Sequence, residues 1–340
     1  MKRPTLSDIA AAAAVSRSAA ARVLLGTGGE HVRVSAVTRQ RIEAAARRLR
    51  YAPNRQAQQL RGVSSKTIGV ILDSLNLPVM SQRLFALEGV ASRGGYRLVV
   101  GRTHGQAETL QEYVADFTGR AVEAVLCLFD LAPGRDVRAK ACFGKFRKVV
   151  FHGRPAWPGG YAVRVNTEAA INDCVDHLIA RGKKTLALAL GNFASDEFMQ
   201  LRRSAFIKRL AKHGRKGLVW DAASADCNPS PDILDRGITS MVRECRADAI
   251  LASNDIWATR FMLQMQKDGL RVPEDVAVIG YDNLDIASVV SPALTTIDQC
   301  HDEYATTVLD LLLDVAAGRR IAADRRIRTI QPRLIIREST

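Results

Sequence analysis

The chain has 340 residues, 47% hydrophobic and 25% charged, an ordinary balance for a folded, water-soluble protein of two or three domains. That balance excludes a disordered, collagenous or fibrous chain. No apolar run approaches the roughly 18 residues of a spanning helix, and the opening Met1–Thr5 leads into a segment interrupted by Asp8 and Arg17, so no export signal is expected and the protein is placed in the cytoplasm. The formal net charge is +14, and residues 1–66 hold thirteen Lys and Arg against three Asp and Glu, the electrostatic footprint of a segment that binds a polyanion, nucleic acid above all.

Thr5-Leu6-Ser7-Asp8 starts a helix with an acid three residues after its cap. Leu6, Ile9, Ala10 and Ala13 follow at helical spacing, Val15 ends the turn, and Ser16 caps a second helix. In that second helix Ala19, Ala20, Val23 and Leu24 are expected to face inward, leaving Arg17, Ser18, Ala21 and Arg22 outside. Two short helices joined by a tight turn predict a helix-turn-helix, whose second helix fits the major groove. Arginine is the side chain that forks onto guanine, and Ser16 and Ser18 are short donors for phosphate or base. After the glycine-rich loop at 26–30, Ser35 is expected to cap a third helix, Ala36–Arg50. Its apolar stripe reads Val37, Ile42, Ala45, Ala46 and Leu49, and its outer face Arg39, Arg41, Arg47, Arg48 and Arg50. Tyr51-Ala52-Pro53 stops it, Asn54 caps a further turn or two over Arg55–Leu60, and Gly62–Ser65 reads as a linker.

These residues resemble a known family. Thr5-Leu6-Ser7-Asp8-Ile9-Ala10, Val15-Ser16, Arg22-Val23-Leu24, Val34-Ser35-Ala36, Thr38-Arg39 and Tyr51-Ala52-Pro53-Asn54 through Leu60 resemble the headpiece of the lactose-repressor/galactose-repressor (LacI/GalR) transcription regulators. The likeness continues through Ile68-Gly69-Val70, Asn254-Asp255, Val278-Ile279-Gly280-Tyr281-Asp282, Pro292–Ile297 and the terminal Arg337-Glu338-Ser339-Thr340. It implies an all-α helix-turn-helix headpiece over 1–61 with a hinge helix at 54–60, and a linker at 62–66. It further implies an α/β body over 67–340 of the periplasmic-binding-protein type I fold, with two parallel-sheet lobes. The first lobe is placed at about 67–163 and 299–327, the second at about 164–298 and 328–340.

The resemblance also implies roles. Arg17 and Ser18 occupy the positions that vary with operator sequence, Arg22 matches the base-contacting arginine, and Leu60 matches the leucine that two subunits wedge into the minor groove. Thr5, Ser16, Ser35, Asn54, Arg55, Ala57 and Gln58 complete the expected DNA-contact set. The chain departs from the family pattern at Ala14, where Gly is usual, at Ala19 and Ala21, where Thr and Ser are usual, and at Leu25, where Asn is usual. The loop before Val34 is longer than usual, and its Arg33 is a candidate replacement for the lost phosphate contacts.

In the body, apolar strands alternate with helical stretches, a pattern that means parallel sheets covered on both faces. The expected strands are Thr67–Leu72, Tyr96–Val100, Ala124–Phe129, Lys148–Phe151, Thr185–Leu190, Ala249–Ala252 and Val276–Gly280. The helices between them are Ser81–Arg93, Ala107–Gly119, Thr167–Arg181, Glu197–His213, Pro231–Cys245 and Asp255–Lys267. Ligands of such sheets sit at the carboxyl ends of strands. Arg202, Asn254 and Asp282 match the family's effector-binding positions and together suit a polyhydroxylated molecule. Asn254 reads equally as a helix cap. Asp73 and Asn76, with Ser74, follow the first strand and are expected on the opposite wall; Ser195, Phe193 and Trp220 are weaker candidates, the two aromatics being more often core.

No phosphate-binding glycine loop, nucleophile elbow or metal-spaced histidine set occurs, and the six cysteines read as buried thiols. No catalytic residue, metal or cofactor is therefore expected. The reading is a sequence-specific DNA-binding regulator, a repressor, acting as a homodimer on a pseudo-palindromic operator and responding to a sugar, sugar acid, sugar phosphate or nucleoside-like effector. The alternative is a solute-binding protein for a sugar-like ligand. The body alone allows it, and the basic headpiece speaks against it.

Overall fold

The computed structural model describes residues 4–26, 32–51, 64–73, 78–129, 135–144, 146–191, 197–222 and 230–340. The expected hinge helix with Asn54, Arg55, Ala57, Gln58 and Leu60 lies outside the described residues, as do Ser74, Asn76, Phe193 and Ser195. The chain divides into two compact units, Met1–Ser65 and Lys66–Thr340.

The first unit holds three helices, α1 (Leu6–Ala12), α2 (Arg17–Leu25) and α3 (Ala36–Arg48). Each starts at the cap read from the sequence. The Thr5 side chain accepts from the Asp8 amide while the Asp8 carboxylate accepts from the Thr5 amide at 2.7 Å, a complete capping box. Ser16 caps Ala19 at 3.1 Å and Ser35 caps Thr38 at 3.2 Å. The core is small: Ile9, Ala10, Ala13, Ala20, Ile42, Ala45 and Ala46. Two expected placements change. Ala21, assigned to the outer face, is buried, because α2 packs against both α1 and α3 and its buried arc is wider than one stripe. Val37, assigned to the stripe of α3, is 67% exposed. Five residues of helix turn it about 140° away from Ile42, whereas positions 45, 46 and 49 stay within about 60° of it.

In the second unit the strands and helices alternate as β1 (Thr67–Leu72), α4 (Pro78–Arg93), β2 (Arg97–Arg102), α5 (Ala107–Gly119), β3 (Ala124–Leu128), α6 (Arg135–Phe143), β4 (Val149–His152) and β5 (Tyr161–Val165). The chain then continues with α7 (Thr167–Ala180), β6 (Leu186–Leu190), α8 (Glu197–Lys212), β7 (Leu218–Asp221), α9 (Pro231–Ile238), β8 (Ala249–Ala252), α10 (Asp255–Lys267) and β9 (Ala277–Ile279). Last come α11 (Ile286–Val289), β10 (Thr296–Asp298), α12 (His301–Ala316), β11 (Ile327–Ile330) and β12 (Arg333–Ile335).

The first sheet runs β2-β1-β3-β4-β5-β11 and is parallel throughout. The second runs β7-β6-β8-β9, also parallel. β10 and β12 form an antiparallel ribbon tied to it by a bridge between Ile279 and Thr295. Each sheet carries apolar clusters on both faces, which is why β3 and β6 are buried at every position.

The expected strands all appear, within two residues at their ends. Five further strands and α6, α11 and α12 were not anticipated. β11, expected in the second lobe, pairs with β5 in the first sheet, Ile327 opposite Ala162. α12 returns the chain to that lobe, its Tyr304, Val308, Leu311, Leu312 and Val315 packed in the core that α4 also lines. The helix expected over Pro231–Cys245 changes at Thr239 into a π-helical stretch ending at Glu244. Of the cysteines, Cys127, Cys174 and Cys300 are buried, Cys142 is half-buried and Cys245 is exposed, which corrects the expectation for Cys245; all five are free thiols.

Candidate functional site

In each sheet the strand order reverses beside the first strand of its lobe, β1 in one and β6 in the other. Crevices beyond the carboxyl ends of strands at such switch points are where open α/β sheets bind ligands. A cavity of about 130 Å³ opens there, lined by Arg83 of α4, His152 at the end of β4, Thr167, Phe198 and Arg202 of α7 and α8, Asn254 after β8, Tyr281 and Asp282 after β9, and Gln299 after β10. Both lobes therefore supply its walls.

Each polar group is held from behind. Arg202 is 7% exposed and donates from Nη1 to the Ser253 carbonyl at 2.6 Å, and its guanidinium carbon lies 3.6 Å from the centroid of the Tyr281 ring. Arg83 is 4% exposed and donates from Nη2 to Gln299 Oε1 at 2.6 Å, with Nη1 2.9 Å from His152 Nε2. Arginine has no acceptor, so His152 Nε2 accepts and its proton sits on Nδ1, 3.0 Å from the Tyr304 hydroxyl. Burial first, and the Arg83 charge second, push the His152 pKa well below the ordinary histidine value, in keeping with that neutral ring. His152 stacks on Phe198, 5.2 Å between centroids.

Asp282 is the acid of the cavity. Its Oδ1 accepts from Gln299 Nε2 at 2.5 Å, which closes a chain from His152 through Arg83 and Gln299 to Asp282. Its backbone takes φ of 104°, a conformation non-glycine residues adopt only under constraint. Here the Asp282 amide is fixed to the Ile297 carbonyl at 2.9 Å. Burial raises the Asp282 pKa to about 6, against the opposing pull of Arg202, Gln299 and Arg83. His301, close by, falls to about 4 through burial and then the Arg83 charge.

Asn254 satisfies both sequence readings. Its side chain caps α10, accepting from the Trp257 amide at 2.9 Å, and it lines the cavity. The next residue, Asp255, is buried beneath, accepting from Leu284 N at 2.7 Å and Thr296 Oγ1 at 2.5 Å. Gly280 has to be glycine for this: a Cβ there would sit 2.1 Å from Asp255 Oδ1.

The structure thus brings Arg202, Asn254 and Asp282 together. Asp73 lies elsewhere, in a separate cavity of about 40 Å³, where its carboxylate takes the Thr103 hydroxyl. Trp220 belongs to an aromatic cluster with Trp257 and Phe261 and does not line the cleft. Sequence reading missed Arg83, His152 and Gln299. Arg83 carried the one usable signal, a charged residue at helical spacing with the apolar Met80, Leu87 and Ala91 on one face of α4. The terminal Ser339-Thr340 proves to be a clasp for the second lobe: Ser339 Oγ donates to the Val278 carbonyl at 2.6 Å, and Thr340 meets His177 and Arg181, both at 2.8 Å.

In the headpiece, Thr5, Ser16, Arg17, Ser18 and Ser35 are partly or fully solvent-exposed and Arg22 is half-buried in the last turn of α2. Arg17 and Ser18 stand in the first turn of α2, where a helix entering a major groove presents its side chains. Arg33, Arg39, Arg41, Arg47, Arg48 and Arg50 are all exposed.

Comparison with known proteins matches this two-part organisation. Residues 5–54 match the model of bacterial regulatory proteins of the lacI family, and residues 175–340 match a periplasmic binding protein-like domain. The HTH-type transcriptional repressor PurR of Vibrio parahaemolyticus serotype O3:K6 (strain RIMD 2210633) is 26% identical over 338 residues, covering 98% of both chains. The lactose operon repressor of Escherichia coli (strain K12) is 29% identical over 327 residues, covering 94% of this chain and 87% of that one. The crystal structure of the Lac repressor dimer bound to operator and the anti-inducer ONPF superposes with a TM-score of 0.86 at 28% identity over 99% of each chain. Headpiece, body and their order along the chain all agree: the protein belongs to the LacI family of bacterial regulatory proteins.

Proposed function

We propose that the protein is a ligand-responsive transcriptional repressor that binds a pseudo-palindromic operator as a homodimer and whose affinity is set by a small polyhydroxylated effector in the cleft. The observation that carries this reading is the likeness, over 99% of each chain, to a repressor dimer seated on its operator. It is supported by a capped α2 with Arg17 and Ser18 in its exposed first turn. Two-fold protein symmetry calls for two matching half-sites. The effector acts by binding one arrangement of the two lobes more tightly than the other, with Arg202, Asn254 and Asp282 as its polar contacts.

A groove of about 910 Å³ on the body supports pairing. Pro78, Ser81 and Gln82 of α4 line one side, and Leu263 of α10 and Ile286 of α11 the other. Leu263 and Ile286 are exposed there, and Phe85, one turn beyond Ser81, is 81% exposed. Apolar side chains gathered in this way mark a protein–protein surface.

The protein works by binding and not by catalysis, in the cytoplasm. Among the described residues no helix is long and apolar enough to cross a membrane, and no group of three His, Cys, Asp or Glu residues is placed to hold a metal ion. The test is selection of duplexes from a random-sequence pool by the purified protein. The expected product is a two-fold symmetric consensus. Recovery of no duplex at low salt overturns the reading in favour of a solute-binding protein.

A further inference from the structure

The cleft holds two buried guanidiniums and one carboxylate. Neither Arg83 nor Arg202 is within ion-pairing distance of any carboxylate among the described residues; Asp282 feels the charge of both, but its side-chain hydrogen bond comes from Gln299. Both arginines keep a buried Nε–H with no partner. In Arg202 the occupied nitrogen is Nη1, on Ser253, and Nε, on the opposite edge of the fork, is buried without a partner. Such an edge matches the two oxygens of a carboxylate or phosphate. A buried arginine without a directly paired counter-ion is costly to keep charged. Two of them facing one small space, with a single acid between, leave the cleft short of one negative charge. The histidines cannot be the source of balance. His152 accepts from Arg83 and stays neutral, and both His152 and His301 feel Arg83 as a repelling charge.

Resting on the reading of this cleft as the effector site, we propose that the effector is an anionic sugar, a polyol bearing a carboxylate or a phosphate, and that Arg83 with Arg202 selects it over neutral sugars. The anionic group lies between Arg83 and Arg202, both of which line the cavity. Asp282 and Asn254, which also line the cavity, take the hydroxyls. Arg83 sets the specificity: it stands on the first lobe and Arg202 on the second, so an anion between them also draws the lobes together.

The test uses the full chain, with tryptophan fluorescence as the readout, because Trp157, Trp220 and Trp257 all lie in the body. Thermal unfolding is followed with sodium D-gluconate, D-glucose 6-phosphate or D-glucose, each against sodium chloride at matched ionic strength. An anion at ten times its dissociation constant raises the midpoint by roughly 3 °C. The expected result is such a rise with gluconate or glucose 6-phosphate, whichever arm responds naming the anionic group, and none with glucose. Arg83→Gln and Arg202→Gln each abolish the rise, while Arg83→Lys keeps part of it; the lysine variant guards against a Gln variant that folds poorly. Equal stabilisation of wild type and Arg83→Gln overturns the proposal, as does a rise with glucose alone, which leaves the effector reading of the cleft standing. No response to any of the three overturns the proposal too. If operator binding also ignores neutral sugars and nucleosides, the effector reading falls with it.

Discussion

The headpiece and the body use the same side chain in opposite ways. In residues 32–51 of the headpiece, Arg33, Arg39, Arg41, Arg47, Arg48 and Arg50 stand in solvent around a core of seven small or medium residues. In the body, Arg83 and Arg202 are buried among aromatic rings and tied to carbonyl, imidazole and amide partners. Exposed arginines cost nothing to keep charged and act as a sum, so they suit a long polyanion. Buried arginines are few, fixed and unbalanced, so they suit one small ligand in one pose. Binding to DNA and response to a ligand are separated by burial as much as by sequence position.

Salt breaks or confirms that contrast with the largest effect. A protein that neutralises six to ten phosphates loses roughly 10³-fold or more in affinity between 50 and 200 mM salt. Fluorescence anisotropy on a selected operator is expected to show that loss. A cleft ligand, screened far less because its partners are buried, is expected to change by only about threefold over the same range. Similar slopes for both would erase the distinction.

The pH dependence of stability should belong to the body alone. Burial raises Asp255 to about 7. Between the ordinary carboxylate value and about 7 the folded state holds a proton that the unfolded chain has released, so stability falls as pH rises through that window and levels off above it. Asp255→Asn keeps acceptors and donors for Leu284 and Thr296 but cannot ionise. It is expected to match wild type near pH 5 and to exceed it at pH 8 by up to about 3 kcal/mol. Urea unfolding at four pH values, followed by tryptophan fluorescence, measures this; parallel profiles for the two proteins would remove Asp255 as the cause.

Within the cleft, Arg202→Met is expected to leave unliganded operator binding intact and to weaken the ligand response roughly 10- to 100-fold, the loss of a charged, forked hydrogen-bond set. Weakened operator binding without ligand would mean that this buried arginine holds the lobes in place for DNA and does not serve the ligand alone.

Much of this was legible in the sequence because the signals are local. Caps at Thr5, Ser16 and Ser35 and the runs of β1, β3, β6 and β8 are written in adjacent residues. β11 and β12 were not legible: they are four and three residues long, half-exposed, and defined only by the distant strands they join. In the cleft, Arg202, Asn254 and Asp282 came from the resemblance and meet in one cavity. Arg83, His152 and Gln299 come from three segments spread over 216 residues of chain, and no spacing rule joins them. Asp73 follows its strand as the general rule expects, but a neighbouring strand turn, with Thr103, claims its carboxylate.

The smallest expected effect concerns the turn between α1 and α2, and it tests how marginal the headpiece is beside the body. Ala14 has φ of 51°, in the left-handed region that costs a side-chain-bearing residue roughly 1–2 kcal/mol. The family pattern has glycine at this position. Ala14→Gly relieves that strain and adds back some unfolded-state entropy, for a net gain of up to about 1 kcal/mol. In a unit whose core is seven residues, such a gain is a sizeable fraction of the whole; in the body it would pass unnoticed. The headpiece lacks tryptophan, so amide hydrogen exchange of α1, α2 and α3 is the measurement. Slower exchange in these helices with unchanged exchange in β3 and β6 is the expected outcome. Faster exchange in the variant would show that the Ala14 methyl, and not its backbone, is what the turn depends on.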